Sequence, residues 1–219
     1  MGARDDFALR AQWAAVAASA ACLAMVVARI ALADGAATFA FLSWNLFLAW
    51  IPLVLAMLLP ATLAGARRRA LAVPLLALWL LFLPNAPYLV TDLIHLDGRP
   101  AGSPAIDLVM FPAFAATGLL IGVLALHLVH VEVARERSPR VAWTATGACI
   151  ALSGIGMYLG RVLTWNSWDV LTSPVARARE LAEHVTTAAG LGDLVAFTLG
   201  LGACLALAYA AFELAARRA

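Results

Sequence analysis

The sequence predicts an all-α membrane protein, a polytopic bundle of about six transmembrane helices. Hydrophobic residues make up 64% of the 219 residues, charged residues make up 13%, and the mean hydropathy is +0.90. Soluble domains are about half apolar and about a quarter charged, so the predicted solvent and partner is the lipid bilayer. The small net charge of +2 argues against nucleic-acid binding.

Six apolar runs are long enough to cross about 30 Å of hydrocarbon at about 1.5 Å per residue. The core of the first run is longer than the core of a secretory signal, so this run is expected to remain as a helix. Because no repeat or low-complexity linker divides the runs, residues 1–219 are predicted to form a single transmembrane domain. The runs cover residues 11–33, 38–60, 71–96, 105–130, 141–163 and 191–214.

The distribution of arginines predicts the orientation in the membrane. All 15 basic residues are arginines, and cytoplasmic loops carry an excess of basic residues. With both termini in the cytoplasm, ten arginines lie inside and five lie outside. The lysine-free, alanine-rich composition is typical of GC-rich bacterial genomes, so a multi-pass protein of the bacterial cytoplasmic (inner) membrane is expected. The inner ten are Arg4, Arg10, Arg67, Arg68, Arg69, Arg135, Arg137, Arg140, Arg217 and Arg218, and the outer five are Arg29, Arg99, Arg161, Arg177 and Arg179.

The third run, which contains "FLPNAPYLVTDLIHL", is predicted to be broken between Pro84 and Pro87. Each proline lacks an N–H group and therefore leaves the carbonyl four residues earlier without its helical donor. Asn85 is placed to satisfy the freed groups or to cap a restarted helix that has Pro87 at its first position. Irregular backbone at this depth is tolerated against protein or against a water-filled cavity.

Four polar residues follow the break at helical spacing. Tyr88, Thr91, Asp92 and His95 fall at i, i+3, i+4 and i+7, which places them on one face of a helix. Asp92 is predicted to touch His95 and to orient its imidazole. Intramembrane ionisable residues indicate a functional site, and the alternative is a polar network that only holds the helices together.

A second polar cluster, "YLGRVLTWNSWD", lies at the predicted outer end of the fifth run. Arg161 is suited to bind a carboxylate or a phosphate through its bidentate fork. Asn45 and Asp107 lie near the same ends of the second and fourth runs, so both clusters are expected to share one outward-facing pocket, with Asp92 and His95 facing Arg161. The predicted binding residues are Asn45, Asn85, Tyr88, Thr91, Asp92, His95, Asp107, Arg161, Asn166 and Asp169.

An amphipathic surface helix is predicted near residues 174–187. The stretch "SPVARARELAEH" is too polar to span a membrane, and it has Ser173 as a candidate N-cap and Pro174 at the first helical position. Apolar residues recur at helical spacing opposite charged residues. This pattern is typical of a helix that lies on the membrane surface, here the outer one.

Small residues in the fifth and sixth runs predict close helix packing. Gly156 and Gly160 form a GxxxG motif, and Gly200, Cys204 and Ala208 form a similar stripe. The cysteines lie in apolar runs without metal-binding spacing, so they are interpreted as packing residues.

Two histidines lie at the cytoplasmic end of the fourth run. His127 and His130 share a face at i, i+3, but the nearest carboxylate lies on a different face. A metal site needs a third ligand, so both histidines are interpreted as interfacial polar residues. The sequence names neither a metal nor a cofactor.

The strings "PNAPY", "TDL" and "WNSWD" resemble a bacterial integral membrane family, domain of unknown function 1361. The resemblance covers roughly residues 38–212. It implies a multi-helix membrane fold and draws attention to the same two polar clusters, but it implies no activity. The sequence departs from the family's pattern at Thr164, where a basic residue is expected before "WNSWD".

Three functions agree with these observations. The first is a protein that binds or transports a small or lipid-linked ligand, because broken helices often form substrate sites in transporters. The second is a membrane enzyme acting on a lipid-linked or phosphate-bearing substrate at the outer leaflet. Metal ligands or a general base would come from Asp92, His95, Asp107 and Asp169, and Arg161 would contact an anion. The third is a structural or assembly protein without a catalytic site. No complete catalytic motif is present that would identify a reaction.

Overall fold

The computed structural model describes residues 3–32, 39–63, 66–97 and 105–218, and within these ranges it describes all side chains except those of residues 3–5 and 66–69. The described part of the chain is helical and contains no β-strand. Its helices are α1 Ala3–Leu32, α2 Phe41–Leu63, α3 Ala66–Phe82, α4 Asn85–Tyr88, a 3₁₀ helix Thr91–Leu96, α5 Asp107–Glu136, α6 Pro139–Arg161, α7 Asp169–Thr172, α8 Pro174–Val185 and α9 Ala188–Arg218.

Six segments of the structure are long and apolar enough to cross a membrane, which confirms the predicted all-α membrane fold. Helices suit this environment because they satisfy their backbone hydrogen bonds within one segment, without water. The six segments are Asp6–Leu32, Phe41–Leu63, Ala70–Leu96, Asp107–Glu136, Pro139–Arg161 and Ala188–Arg218.

Helix α5 is the most buried of the spanning segments and packs against α1, α2, α6 and α9. The Phe7 ring in α1 contacts the Phe212 ring in α9, with 5.3 Å between centroids, so both termini lie at one end of the bundle. We call this the terminal end, and we call the opposite end, which carries α7 and α8, the α8 end. The α8 end is the one predicted to face outside. Among the arginines behind that prediction, Arg4, Arg67, Arg68, Arg69 and Arg99 lie outside the residues whose side chains are described.

The predicted break in the third spanning segment is confirmed. Helix α3 ends at Phe82, α4 is a single turn, and the 3₁₀ helix continues the segment. The Asn85 side-chain amide donates to the Phe82 carbonyl at 2.9 Å, and the Ala86 N–H donates to the Leu83 carbonyl at 3.2 Å. The predicted restart at Pro87 is wrong, because α4 begins at Asn85. Pro87 fits inside this first turn, where an N–H group has no intrahelical partner.

The GxxxG motif of α6 packs against this broken segment. A Cβ atom on Gly156 would lie 2.4 Å from Pro84 Cγ, and one on Gly160 would lie 3.1 Å from Tyr88 Cε2. The glycines therefore let α4 approach the α6 backbone, as the motif predicts. The prediction for the α9 stripe is wrong at Gly200, since a Cβ atom there would meet nothing within 4 Å.

Helix α8 confirms the predicted surface helix. Pro174 is its first residue and Ser173 is its N-cap, although the Ser173 side chain makes no capping hydrogen bond. The face turned towards the bundle includes Arg177 and Glu180, while Val175 on the apolar face is 74% exposed. An apolar residue exposed at this end of a membrane bundle is suited to contact with lipid.

Candidate functional site

A buried ion pair joins the broken segment to α6. The Arg161 Nη1 atom lies 3.3 Å from Asp92 Oδ1, and the Asn45 amide donates to Asp92 Oδ2 at 2.9 Å. Asp92 is 1% exposed. The predicted proximity of Asp92 and Arg161 is therefore confirmed. Both carboxylate oxygens have a donor, which is what makes a buried carboxylate tolerable in hydrocarbon.

The predicted contact between Asp92 and His95 is wrong. The imidazole of His95 packs against the rings of Phe41 and Phe111, with centroids at 5.1 Å and 6.1 Å, and the Asp92 carboxylate is held by α2 and α6 instead. The 3₁₀ geometry does not explain the difference, because residues i and i+3 eclipse in a 3₁₀ helix and residues 92 and 95 therefore share a face. The partners on the neighbouring helices decide which way each of the two side chains turns.

Asp107 belongs to a different ion pair at the same end of the bundle. The Arg29 Nε atom of α1 donates to Asp107 Oδ1 at 2.7 Å, and both residues are buried. The prediction that Asp107 shares a pocket with Arg161 is therefore wrong, because α5 turns this first residue towards α1. Sequence reasoning had used Arg29 only to assign the orientation. An arginine inside a long apolar run is the signal that could have identified it as a buried partner.

Aromatic rings separate the two ion pairs. The Arg29 guanidinium lies 5.2 Å from the centroid of the Phe39 ring, and Phe39 contacts Phe111 at 5.0 Å. Phe111 in turn contacts His95. The ion pairs of Asp92 and Asp107 are therefore separate, and of these two only the Asp92 pair includes a residue of the second predicted cluster, Arg161.

The turn after α6 connects the second cluster to α4 and α8. The Asn85 amide donates to Ser167 Oγ at 2.8 Å, and Trp165 Nε1 donates to Glu180 Oε2 in α8 at 3.1 Å. Thr164 has a φ of 56°, which is the left-handed region that a β-branched residue rarely adopts. The strained residue turns the chain so that the residues following it face both α4 and α8.

Asp169 faces α8 and the backbone of its own turn. Its Oδ2 atom accepts from the Asn166 N–H at 2.8 Å and lies 3.6 Å from Arg177 Nη2. This carboxylate therefore stabilises the short helix α7 and its junction with α8. It does not point into the space between α3 and α6.

A cavity of about 660 Å³ lies between α2, α3, α4 and α6 and the turn that follows α6. Its walls are mostly aliphatic and aromatic, and amide and hydroxyl groups gather at the α8 end. Volumes of this order, with apolar walls and a few polar groups, are typical of ligand sites. The lining residues are Trp44, Asn45, Leu48, Ala77, Leu80, Leu81, Pro84, Asn85, Tyr88, Leu152, Ile155, Gly156, Leu159, Gly160, Thr164, Trp165, Asn166, Ser167 and Val170.

The cavity brings together four of the ten residues predicted to bind a ligand, and for these residues the binding role stays a prediction. They are Asn45, Asn85, Tyr88 and Asn166. The other six lie outside the lining. Asp92 lies behind the lining, where it accepts from Asn45 and pairs with Arg161. Thr91 donates to the Tyr88 carbonyl. The partners of the other three, His95, Asp107 and Asp169, are given above. The single pocket predicted from the sequence included charged side chains, whereas none of the described residues that line this cavity carries a formal charge.

The family model described as "Protein of unknown function (DUF1361)" matches residues 44–207. The chain belongs to this family. No curated protein and no solved structure matches it. The match includes every residue that lines the cavity, as well as Asp92 and Arg161, whereas Arg29, Tyr209 and Glu213 lie outside the matched range.

This family member also has a buried polar cluster near the terminal end. His127 Nδ1 lies 2.6 Å from Glu213 Oε1, and the Tyr209 hydroxyl donates to the same oxygen at 3.3 Å. His130 Nδ1 lies 2.9 Å from Thr146 Oγ1. His127 is buried and His130 is half-buried, and the interfacial depth of both histidines stays a prediction. Sequence reasoning missed Glu213, although a carboxylate at i+4 from a tyrosine inside the last apolar run is a visible signal.

The histidines, cysteines and carboxylates of the described residues do not form a metal-binding group. Within residues 3–32, 39–63, 66–97 and 105–218, no three side chains of His, Cys, Asp or Glu are grouped so that they could hold a metal ion. Each of the three predicted aspartates lies in an ion pair with an arginine.

Proposed function

We propose that this membrane protein binds a lipid or lipid-linked molecule in the cavity at the α8 end. The observation that carries the proposal is the composition of the cavity, which has an aliphatic shaft and a polar cap. The shaft includes Leu80, Leu81 and Ile155, and the cap includes Asn85 and Asn166. An amphipathic ligand with an acyl or isoprenoid-like chain and a polar head matches both parts at once.

The rim of the cavity supports entry from the bilayer. Trp44 is 53% exposed and Leu152 is 47% exposed, and both lie at the edge of the cavity within membrane-spanning helices. Helices α3 and α6, which both line the cavity, make few contacts with each other. A side opening framed by apolar residues would admit a hydrophobic chain without passing it through water.

The cap favours an uncharged, hydrogen-bonding head group. None of the described residues that line the cavity carries a formal charge. The nearby Arg161 does not line the cavity, and its charge is neutralised by Asp92. Amides, a phenol and hydroxyls both donate and accept hydrogen bonds, which suits hydroxyl, amide or carbonyl groups. The ion pairs between the predicted aspartates and arginines argue against catalysis, because a carboxylate that serves as general base or metal ligand must be free to act.

The proposed orientation places the cavity in the outer leaflet of a bacterial cell membrane, with both termini in the cytoplasm. The arginine distribution supports it. A reporter fused after Ala219 should be active in the cytoplasm. Periplasmic activity of that reporter would reverse the orientation without altering the cavity.

Native mass spectrometry of the protein released from detergent micelles tests the ligand. We expect the wild-type chain to retain a bound lipid, and we expect Ala77→Phe to lose it because the new ring occupies the shaft. Ala203→Phe is the matched control, since Ala203 is an exposed residue in the membrane-spanning part of α9 and away from the cavity. Equal lipid retention by both variants would refute a specific site and favour a structural role.

The polar cap is tested separately with Asn166→Ala. The Asn166 backbone keeps its bond to Asp169 in this variant, so the turn is expected to persist. We expect the bound lipid to change in head group while its chain length is kept. A bound population identical to that of the wild type would show that the cap does not select the ligand.

A further inference from the structure

We propose that a groove near the terminal end binds one molecule of an anionic phospholipid. The groove has a volume of about 280 Å³ and lies between α2, α3 and α5. One acyl chain of the lipid occupies the groove, and the phosphate of its head group pairs with Arg137 at the mouth. This site stands apart from the cavity at the α8 end and does not depend on the ligand proposed there.

The floor of the groove is aliphatic. Helix α2 supplies Leu59 and Leu63, α3 supplies Ala72 and Leu76, and α5 supplies Val133. These side chains have no polar group that needs a hydrogen-bond partner, so the floor suits a hydrocarbon chain better than a hydrated solute.

The groove lies where three spanning segments reach the membrane surface. Phe41–Leu63 and Asp107–Glu136 end at this level, and Ala70–Leu96 begins there. Leu58 and Val73, which adjoin two of the lining residues, are exposed, so α2 and α3 meet hydrocarbon beside the groove. Phospholipid head groups occupy the layer just outside the hydrocarbon. A lipid at this depth therefore has its head group at the mouth and its chains beside the floor.

The mouth of the groove presents an available guanidinium. Glu132 lines the groove, but its Oε1 atom already lies 3.0 Å from Arg135 Nη1. Glu136 also has an interaction partner. Arg137 is exposed and lines the groove, and among the residues with described side chains it has no ion-pair partner. A guanidinium binds a phosphate through two parallel hydrogen bonds, so the charge at the mouth complements an anionic head group.

Neighbouring segments add positive charge at the same level. Arg140 is exposed in the first turn of α6, three residues after Arg137, and it too has no ion pair among the described side chains. Helix α3 begins with the sequence "ARRRA", so three more arginines fall in its first turn at this end. Basic clusters between helices at a membrane surface are typical of sites for anionic lipid head groups. A zwitterionic lipid has no net charge to match them.

Native mass spectrometry with defined lipids tests the head group. The purified protein in detergent is mixed with phosphatidylglycerol or with phosphatidylcholine of the same chain length, and we expect the wild type to retain one phosphatidylglycerol preferentially. Arg137→Gln should weaken this retention about fivefold, which is what one arginine contributes near an anionic lipid surface. Arg10→Gln is the matched control and should bind as the wild type does, because Arg10 is exposed near the same end but does not line the groove.

Ala72→Phe tests the acyl chain, because the new ring fills the groove, and it should abolish the preferential retention. Ala72 is buried, so the Arg137→Gln and Arg10→Gln pair decides the question if this variant fails to fold. Equal retention of both lipids by the wild type, equal losses in Arg137→Gln and Arg10→Gln, or full retention in folded Ala72→Phe would overturn the proposal.

The cavity variant Ala77→Phe separates this site from the cavity at the α8 end. It should retain phosphatidylglycerol as the wild type does, whether or not the cavity itself binds a lipid. Loss of phosphatidylglycerol in Ala77→Phe together with its retention in Arg137→Gln would assign the bound lipid to the cavity and overturn the site at the groove.

Discussion

Both ends of the bundle stabilise a buried carboxylate, but with different donors. At the α8 end, Asp92 is held by Asn45 and by the guanidinium of Arg161. Near the terminal end, Glu213 is held by Tyr209 and by the imidazole of His127. A guanidinium is always charged, whereas a neutral imidazole can donate its own N–H to a carboxylate. The first network therefore includes a permanent cation, and the second needs none.

The surroundings of the two networks also differ. Asp92 accepts a hydrogen bond from Asn45, which lines the cavity, so this network holds part of the cavity wall in position. In the Glu213 network, the His127 ring packs against the ring of Phe212, so this network joins α5 to α9 through polar and aromatic contacts together.

The largest effect is expected from Asp92→Ala. The substitution leaves the Arg161 guanidinium partly buried without its counter-ion, and removal of one partner of a buried pair costs about 3–5 kcal/mol. The free energy of unfolding in detergent, measured by chemical denaturation, gives the change. Asp97→Ala removes an exposed aspartate from the end of the same 3₁₀ helix and is the control. A similar loss in both variants would contradict the importance of the pair.

A smaller loss is expected from Glu213→Ala. The remaining His127 can stay neutral, so the cost is that of unpaired buried donors, about 1–3 kcal/mol. The same denaturation experiment compares it directly with Asp92→Ala. If Glu213→Ala destabilises the protein as much as Asp92→Ala, the permanent charge of the arginine is not what separates the two ends.

Gly156→Ala sharpens the description of the cavity end. Its new methyl group would clash with the rigid ring of Pro84, and overpacking of this kind costs about 1–3 kcal/mol. Gly147→Ala is a matched control in the same helix, because a Cβ atom there meets nothing within 4 Å. It should stabilise α6 by about 0.5–1 kcal/mol through helix propensity. Equal effects would show that α6 and α4 are not in close contact.

Ser167→Ala tests the bond between the turn and α4. Loss of the 2.8 Å hydrogen bond from Asn85 should lower the free energy of unfolding by about 0.5–1.5 kcal/mol. Ser173→Ala is the control. Ser173 is the N-cap residue of α8, but its side chain makes no capping hydrogen bond, so this substitution should change stability little. The reverse order of the two effects would show that the turn is held in another way.

The smallest effect is expected from Thr164→Gly, and its sign is opposite. Glycine adopts a φ of 56° without the steric cost of a β-branched residue, so the variant should gain about 0.5–1 kcal/mol in stability. Thr144→Gly, at a regular helical position in α6, should instead lose about the same amount. Destabilisation in both variants would mean that the threonine side chain, and not the backbone, matters in this turn.

Hydrophobic periodicity and residue chemistry were enough to predict much of this molecule. Run lengths predicted the six spanning segments, because an apolar stretch of that length has few alternatives to a membrane helix. Two prolines predicted the break, because a proline has no N–H group to donate to a helical hydrogen bond, whatever the tertiary structure around it. The same reasoning placed Asn45, Asp92 and Arg161 at one end of the bundle, because depth follows from counting residues along each helix.

The pairing of the buried charges was decided by tertiary packing. From the sequence, Asp92 was expected near both His95 and Arg161, and Asp107 was expected on the wall of the same pocket. In the folded chain Asp92 pairs with Arg161 and not with His95, and Asp107 pairs with Arg29. The pairing of Glu213 with His127 was not foreseen at all. Each outcome depends on the rotation of one helix against another. Such rotations are set by contacts between residues far apart in the chain, which periodicity within one segment does not encode.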